Sequence, residues 1–127
     1  MKWNIFGKNR DCETKSQQIE DISNPNDLKD IALNDSDYRI RLRAMGKISD
    51  EKFLKSVAFE DSNRNVQIFA VENIKNQDYL EDIAKNHSNC HVRLRALEKI
   101  ADENRVEYIL KKESNKKIKD YLTAKVR

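Results

Sequence analysis

The sequence predicts an all-α fold, an α-solenoid of stacked helical hairpins, on three observations. The chain aligns with itself at an offset of 26 residues, which brings Ile40, Val66, Val92 and Ile118 into one column without a gap. Within each unit the apolar residues follow helical spacing, as in Leu28, Ile31 and Ala32 followed by Ile40, Ala44, Met45 and Ile48. The whole chain holds 2 glycines and 1 proline, too little turn chemistry for β-hairpins and nothing like a phosphate-cradling glycine loop.

Taken in order, residues 1–23 read as a degenerate N-terminal capping segment, in which Ile5 falls in register with Ile31 and Ile22 with Ile48 around a polar stretch from Lys8 to Gln18. Four hairpin repeats are expected after it, at 24–49, 50–75, 76–101 and 102–127. The first helix of each, helix A, is predicted near 25–33, 51–59, 77–85 and 103–111. The second, helix B, is predicted near 37–49, 63–75, 89–101 and 115–126. Asn24, Asp50, Asn76 and Asp102 stand where a side-chain oxygen can cap helix A, and Pro25 takes the first helical position, where a missing N–H costs nothing. Ser36, Ser62, Ser88 and Ser114 recur ahead of helix B as its caps or turn residues. Ala44, Ala70 and Ala96 recur at one place, as close helix contact requires. Asp120 and Thr123 stand where earlier repeats carry apolar residues, which suits a solvent-facing end. Short amphipathic helices are marginal alone, so the hairpins are expected to stack into one continuous core.

A chain of 127 residues suits one domain. The formal charge of +3 is unevenly spread: residues 105–127 carry eight Lys or Arg against three Asp or Glu, so the basic character belongs to the C-terminal end. Cys12 and Cys90 lie far apart without disulfide-scaffold spacing, which suits free thiols in a reducing, cytoplasmic setting. The opening residues, with Trp3, Ile5 and Phe6, are too short an apolar patch for a signal peptide, and no stretch reaches membrane-spanning length.

The segment Val92 to Ile100, VRLRALEKI, its counterparts in the other units and the preceding Asp35-Ser36 type of loop resemble the short HEAT-like repeat of the phycobilisome-lyase type. The resemblance covers roughly residues 24–127 and implies a right-handed superhelix with the B helices lining its concave side. It further implies a ladder in which an acidic loop residue bonds a basic residue of helix B. On that pattern Asp35 matches with Arg41 and Glu113 loosely with Lys119, whereas Asp61 meets Gln67 and His87 meets Arg93. A helical wheel places Arg41 and Arg93 inside the apolar arc, where a cation needs a partner, so Asp35, Arg41 and Arg93 are assigned structural roles.

Chemistry is sparsely represented. His87, Cys90 and His91 have spacings that suit one side of a helix, but no fourth zinc ligand is predictable nearby, and the segment reads as a polar loop entering a helix. The chain contains no His-Glu dipeptide of the kind that iron-dependent HEAT-like hydroxylases carry, and its only tryptophan lies outside the repeats, unlike the cleft aromatics of HEAT-like glycosylases. No Ser-His-Asp, Cys-His or paired-carboxylate arrangement assembles from two histidines. The expectation is a non-enzyme without metal, cofactor or small-molecule substrate.

The informative surface is the outer ridge of the B helices. It runs Arg39, Arg43, Lys47, then Asn65, Phe69, Asn73, then His91, Arg95, Lys99, then Lys117, Tyr121, Lys125, with no acidic residue among them. Glu72 and Glu98 on the neighbouring column temper its field. The ridge predicts a protein-interaction scaffold offering a basic and aromatic concave face to an acidic partner, through Arg39, Arg43, Lys47, Phe69, Arg95, Lys99, Tyr121 and Lys125. The alternative is a nucleic-acid binder contacting phosphates along the same ridge.

Overall fold

Helix follows helix through residues 12–126, the part of the chain that the computed structural model describes, and no strand occurs among them. The helices are α1 (Cys12–Ile19), α2 (Pro25–Asn34), α3 (Tyr38–Met45), α4 (Glu51–Glu60), α5 (Arg64–Glu72), α6 (Gln77–Asn86), α7 (Cys90–Lys99), α8 (Glu103–Lys112) and α9 (Lys116–Val126). Trp3, Ile5 and Phe6 lie outside the described residues, as do the side chains of Tyr121 and Lys125.

Cap chemistry places each start. The side-chain oxygens of Asn24, Asp50, Asn76 and Asp102 accept from backbone N–H groups of the first turns of α2, α4, α6 and α8, and Pro25 opens α2. For α3, α5 and α7 the caps are Asp37, Asn63 and Asn89, and Asn115 accepts from the Ile118 N–H in α9. The serines expected in that role sit one residue earlier, exposed, because the amide or carboxylate oxygen of the next residue reaches the free N–H groups. Asn76→Ala should therefore destabilise the chain by about 1 kcal/mol in urea unfolding, whereas Ser62→Ala should leave the midpoint unchanged.

The B-type helices also end earlier than their apolar pattern suggests. Ile48, Ile74 and Ile100 lie beyond α3, α5 and α7, each with its N–H bonded three residues back, to Met45, Val71 and Leu97 respectively. Ile100 is extended, yet all three side chains are buried. The apolar column persists because a residue in the following link can plug the same core.

Packing is between neighbours. Helix α2 packs on α3, α4 on α5 and α6 on α7, while α1, α3, α5 and α7 contact in succession on one side and α4, α6 and α8 on the other. One cluster of buried side chains runs from Ile19 to Ile118. Ala44, Ala70 and Ala96, on the successive B-type helices α3, α5 and α7, are fully buried. Burial of each large aliphatic side chain contributes about 1.5–3 kcal/mol, so a core shared among neighbours carries helices of eight to eleven residues that could not persist alone.

Candidate partner-binding face

A ladder of buried polar contacts orders the loops beside this face. Arg41 directs its Nε and Nη2 to the Asp61 carboxylate at 3.0 and 3.2 Å and its Nη1 to the main-chain oxygen of Asp35 at 2.7 Å. Arg93 repeats the arrangement, forking the Glu113 carboxylate at 3.0 and 3.2 Å and bonding the His87 carbonyl at 2.8 Å. Lys15 likewise reaches Asp35 at 3.3 Å. The expected pairings therefore need correction. Arg41 takes only the backbone of Asp35, and its carboxylate partner is Asp61 in the next hairpin. Glu113 belongs to Arg93, not Lys119, and Arg93 does not lean on the His87 ring. The guanidinium is long enough to bridge two stacked loops, one through a carbonyl and one through a carboxylate. Desolvation opposes the charge on Glu113, but the Arg93 fork and the Asn115 N–H hold its carboxyl below the usual range.

The middle rung is neutral. Gln67 donates to the Asp61 carbonyl at 2.6 Å, and the next loop carries His87 in place of an acid. Its Nε2 lies 2.7 Å from the Ala58 carbonyl and must carry the proton, while Nδ1 accepts from the Asn89 N–H at 3.0 Å. That second bond is the one Asp35, Asp61 and Glu113 make with Asp37, Asn63 and Asn115. His87 thus supplies the acceptor without a buried charge that Gln67 could not neutralise, and its ring stacks on Phe59 at 5.4 Å. With His87 turned inward and His91 exposed, these side chains do not converge. Among the described residues no group of three His, Cys, Asp or Glu could hold a metal ion, and no helix is long and apolar enough to cross a membrane.

The outer ridge is less uniformly basic than its sequence. Arg95 forks the Glu72 carboxylate and also reaches Glu98, so Glu72 is held below the usual carboxylate range and the guanidinium above its own. Lys99 donates to the Glu72 carbonyl, and burial lowers its ammonium pKa despite Glu72 nearby. Lys47 donates to the carbonyls of Ile19, Glu20 and Ile22 at 3.0, 2.9 and 2.7 Å. Both lysines satisfy carbonyls at or just past the C-terminal ends of α1 and α5, where unpaired acceptors and the helix dipole favour a cation. Arg39 pairs with Asp37. Phe69, expected in water, is half-buried against the core. Lys47, Arg95 and Lys99 are thus already engaged within the chain.

What remains open is a groove between α1, α3 and α5. Ser16, Arg39, Leu42, Arg43, Gly46 and Phe69 line a cavity of about 480 Å³. Arg43 is exposed and makes no side-chain hydrogen bond or ion pair among the described residues, so its guanidinium stands at an apolar wall with its donors available. Gly46 has an ordinary helical φ of −61°, and a Cβ there would stand 3.9 Å from the Phe69 ring. The backbone does not need glycine at this place. Its missing side chain leaves Phe69 accessible. Sequence reading overlooked Ser16 and Gly46, the latter detectable only as one of 2 glycines in the chain. No protein-family model, curated protein or solved structure shows significant similarity to the chain.

Proposed function

We propose that the chain is a non-catalytic interaction module, a right-handed solenoid of four HEAT-like hairpins behind an N-terminal capping unit, which docks an acidic protein segment on its B-helix face. Support for the repeat architecture comes from the helix starts, at residues 25, 51, 77 and 103 for one set and 12, 38, 64, 90 and 116 for the other, together with the Lys15, Arg41 and Arg93 bridges between successive loops. The observation that carries the function is the groove at Arg43. An unpaired guanidinium beside Leu42 and Phe69 suits a carboxylate followed by an apolar side chain, because Arg offers a planar fork of donors. A phosphate backbone along the same ridge is the weaker reading, since Glu72 and the helix-end carbonyls already engage Arg95, Lys99 and Lys47. The module uses no metal, cofactor or small-molecule substrate in this reading, and works in the cytoplasm, where the half-buried Cys90 thiol stays reduced.

Affinity purification of the tagged chain from its native host, with and without nuclease, tests the proposal. A protein that stays bound after nuclease treatment and is lost from an Arg43→Glu bait is expected. Retention of only nucleic acid, or a protein that binds the Arg43→Glu bait as well as the parent, would sink the protein-docking reading.

A further inference from the structure

Helix α8 departs from α2 and α6 at two positions, where α4 carries Ser56 and Glu60. In α2 the Asn34 amide donates to Asp30 at 2.7 Å, and in α6 the Asn86 amide donates to Asp82 at 2.5 Å. The corresponding places in α8 hold Tyr108 and Lys112, an aromatic ring and a cation where an acid and an amide served. Tyr108 remains 51 % exposed, a degree of exposure that only Leu33 shares among large apolar side chains of the described residues. Two ammonium groups flank its ring, Lys112 at 4.8 Å from the centroid and Lys85, from the preceding hairpin, at 6.0 Å. Lys85 is also 3.5 Å from Glu81, whereas Lys112 has no carboxylate partner among the described residues. The Lys112 hydrogen bond and charge, with Lys85 behind them, hold the Tyr108 hydroxyl below the usual phenol range, which marks a positive local field.

The surroundings extend the same character. Lys85, Asn86 and Lys112 share a cleft of about 320 Å³ with the mutually paired Arg93 and Glu113, and Lys111 and Lys119, with no ion pair among the described residues, line another cleft together with Glu107. The neighbours of the Tyr108 ring are flexible lysines that can swing off it at little cost. Acidic peptides or anionic lipid would need only the charge. An open ring between cations also suits a partner made of flat bases joined by phosphates.

We propose that this end of the chain binds single-stranded nucleic acid, a base stacking on Tyr108 while phosphates engage Lys85 and Lys112 and then Lys111 and Lys119. The surface is separate from the Arg43 groove and does not depend on it. Fluorescence anisotropy with labelled oligouridine and oligothymidine tests it on the full chain at low salt. Both should bind, with log affinity falling against log salt at a slope of about −3, as roughly four neutralised phosphates imply. Tyr108→Ala should weaken binding about 5- to 100-fold, Tyr108→Phe should retain it, and Lys112→Glu should weaken it and flatten the salt slope. Lys52→Glu, an exposed change on α4, serves as the control and should match the parent. Tyr108→Ala binding as tightly as the parent would remove the stacking platform. Absence of oligonucleotide binding at 50 mM salt (a condition of about 14 Å Debye length), or tighter binding of the Arg43→Glu chain to phosphatidylserine vesicles or polyglutamate than to either oligonucleotide, would overturn the proposal.

Discussion

Leu80→Asp is expected to unfold the hairpin array rather than one helix of it. Leu80 is fully buried in α6, which packs against α4, α7 and α8. The substitution removes the transfer free energy of a large aliphatic group and places a carboxylate where the neighbours are apolar. The expected cost is about 3 kcal/mol or more, a large part of the ~5–15 kcal/mol that holds a typical domain. Far-UV circular dichroism and urea unfolding would show the helical signal lost or its midpoint strongly lowered. Each hairpin buries its face against its neighbours, so α4 and α5 should lose protection together with α6 and α7. A Leu80→Asp chain with parental helicity and midpoint would contradict the shared core.

Asp61→Ala comes next in size. The Arg41 and Asp61 side chains are only 10 % and 8 % exposed, so removing the carboxylate strands a guanidinium with the Asp35 carbonyl as its remaining partner. Breaking a buried pair from one side costs about 3–5 kcal/mol, most of it the penalty of the charge left behind. Removing both charges together, as Arg41→Met with Asp61→Leu, should restore much of that stability, since the pair itself offsets little more than its own desolvation. The Lys116–Asp120 pair, with side chains 87 % and 65 % exposed, provides the contrast: Asp120→Ala should shift stability by less than about 0.5 kcal/mol. Chemical denaturation of the three variants separates the cases. Equal costs at the two sites would mean that Arg41 is not held by the contacts described.

The helical character was legible because the sequence repeats its side-chain sizes. Ile40, Val66, Val92 and Ile118, aligned from the sequence alone, are all buried at 3 % exposure or less. The caps of the A-type helices were legible for a local reason, since their oxygens bond N–H groups only two or three residues ahead. Where two cap-forming residue types are adjacent, as in Ser36-Asp37, chemistry alone did not choose between them. Nor does apolar periodicity separate the last turn of a helix from the link after it, so the predicted helix near 37–49 runs past Met45 to include Ile48. The ladder was misread because its carboxylates lie twenty residues ahead of the arginines, across a stacking step, while a family pattern within one hairpin suggested the acid six residues back. The ridge shows the same limit. A wheel locates the Cβ of Arg95 or Lys99 but not the end of a long side chain, and Glu72 intercepts both.

Docking of a protein segment at the Arg43 groove is the proposed activity. Isothermal titration calorimetry of the isolated partner against the parent, Arg43→Glu, Gly46→Met and Lys52→Glu chains tests it most directly. Arg43→Glu removes the charge complement, and Gly46→Met fills the space over Phe69 without demanding a new backbone conformation. Docking at the groove predicts at least tenfold weaker binding for both, corresponding to about 1.4 kcal/mol or more, with Lys52→Glu unchanged. Equal affinity across all four chains would contradict docking at this groove.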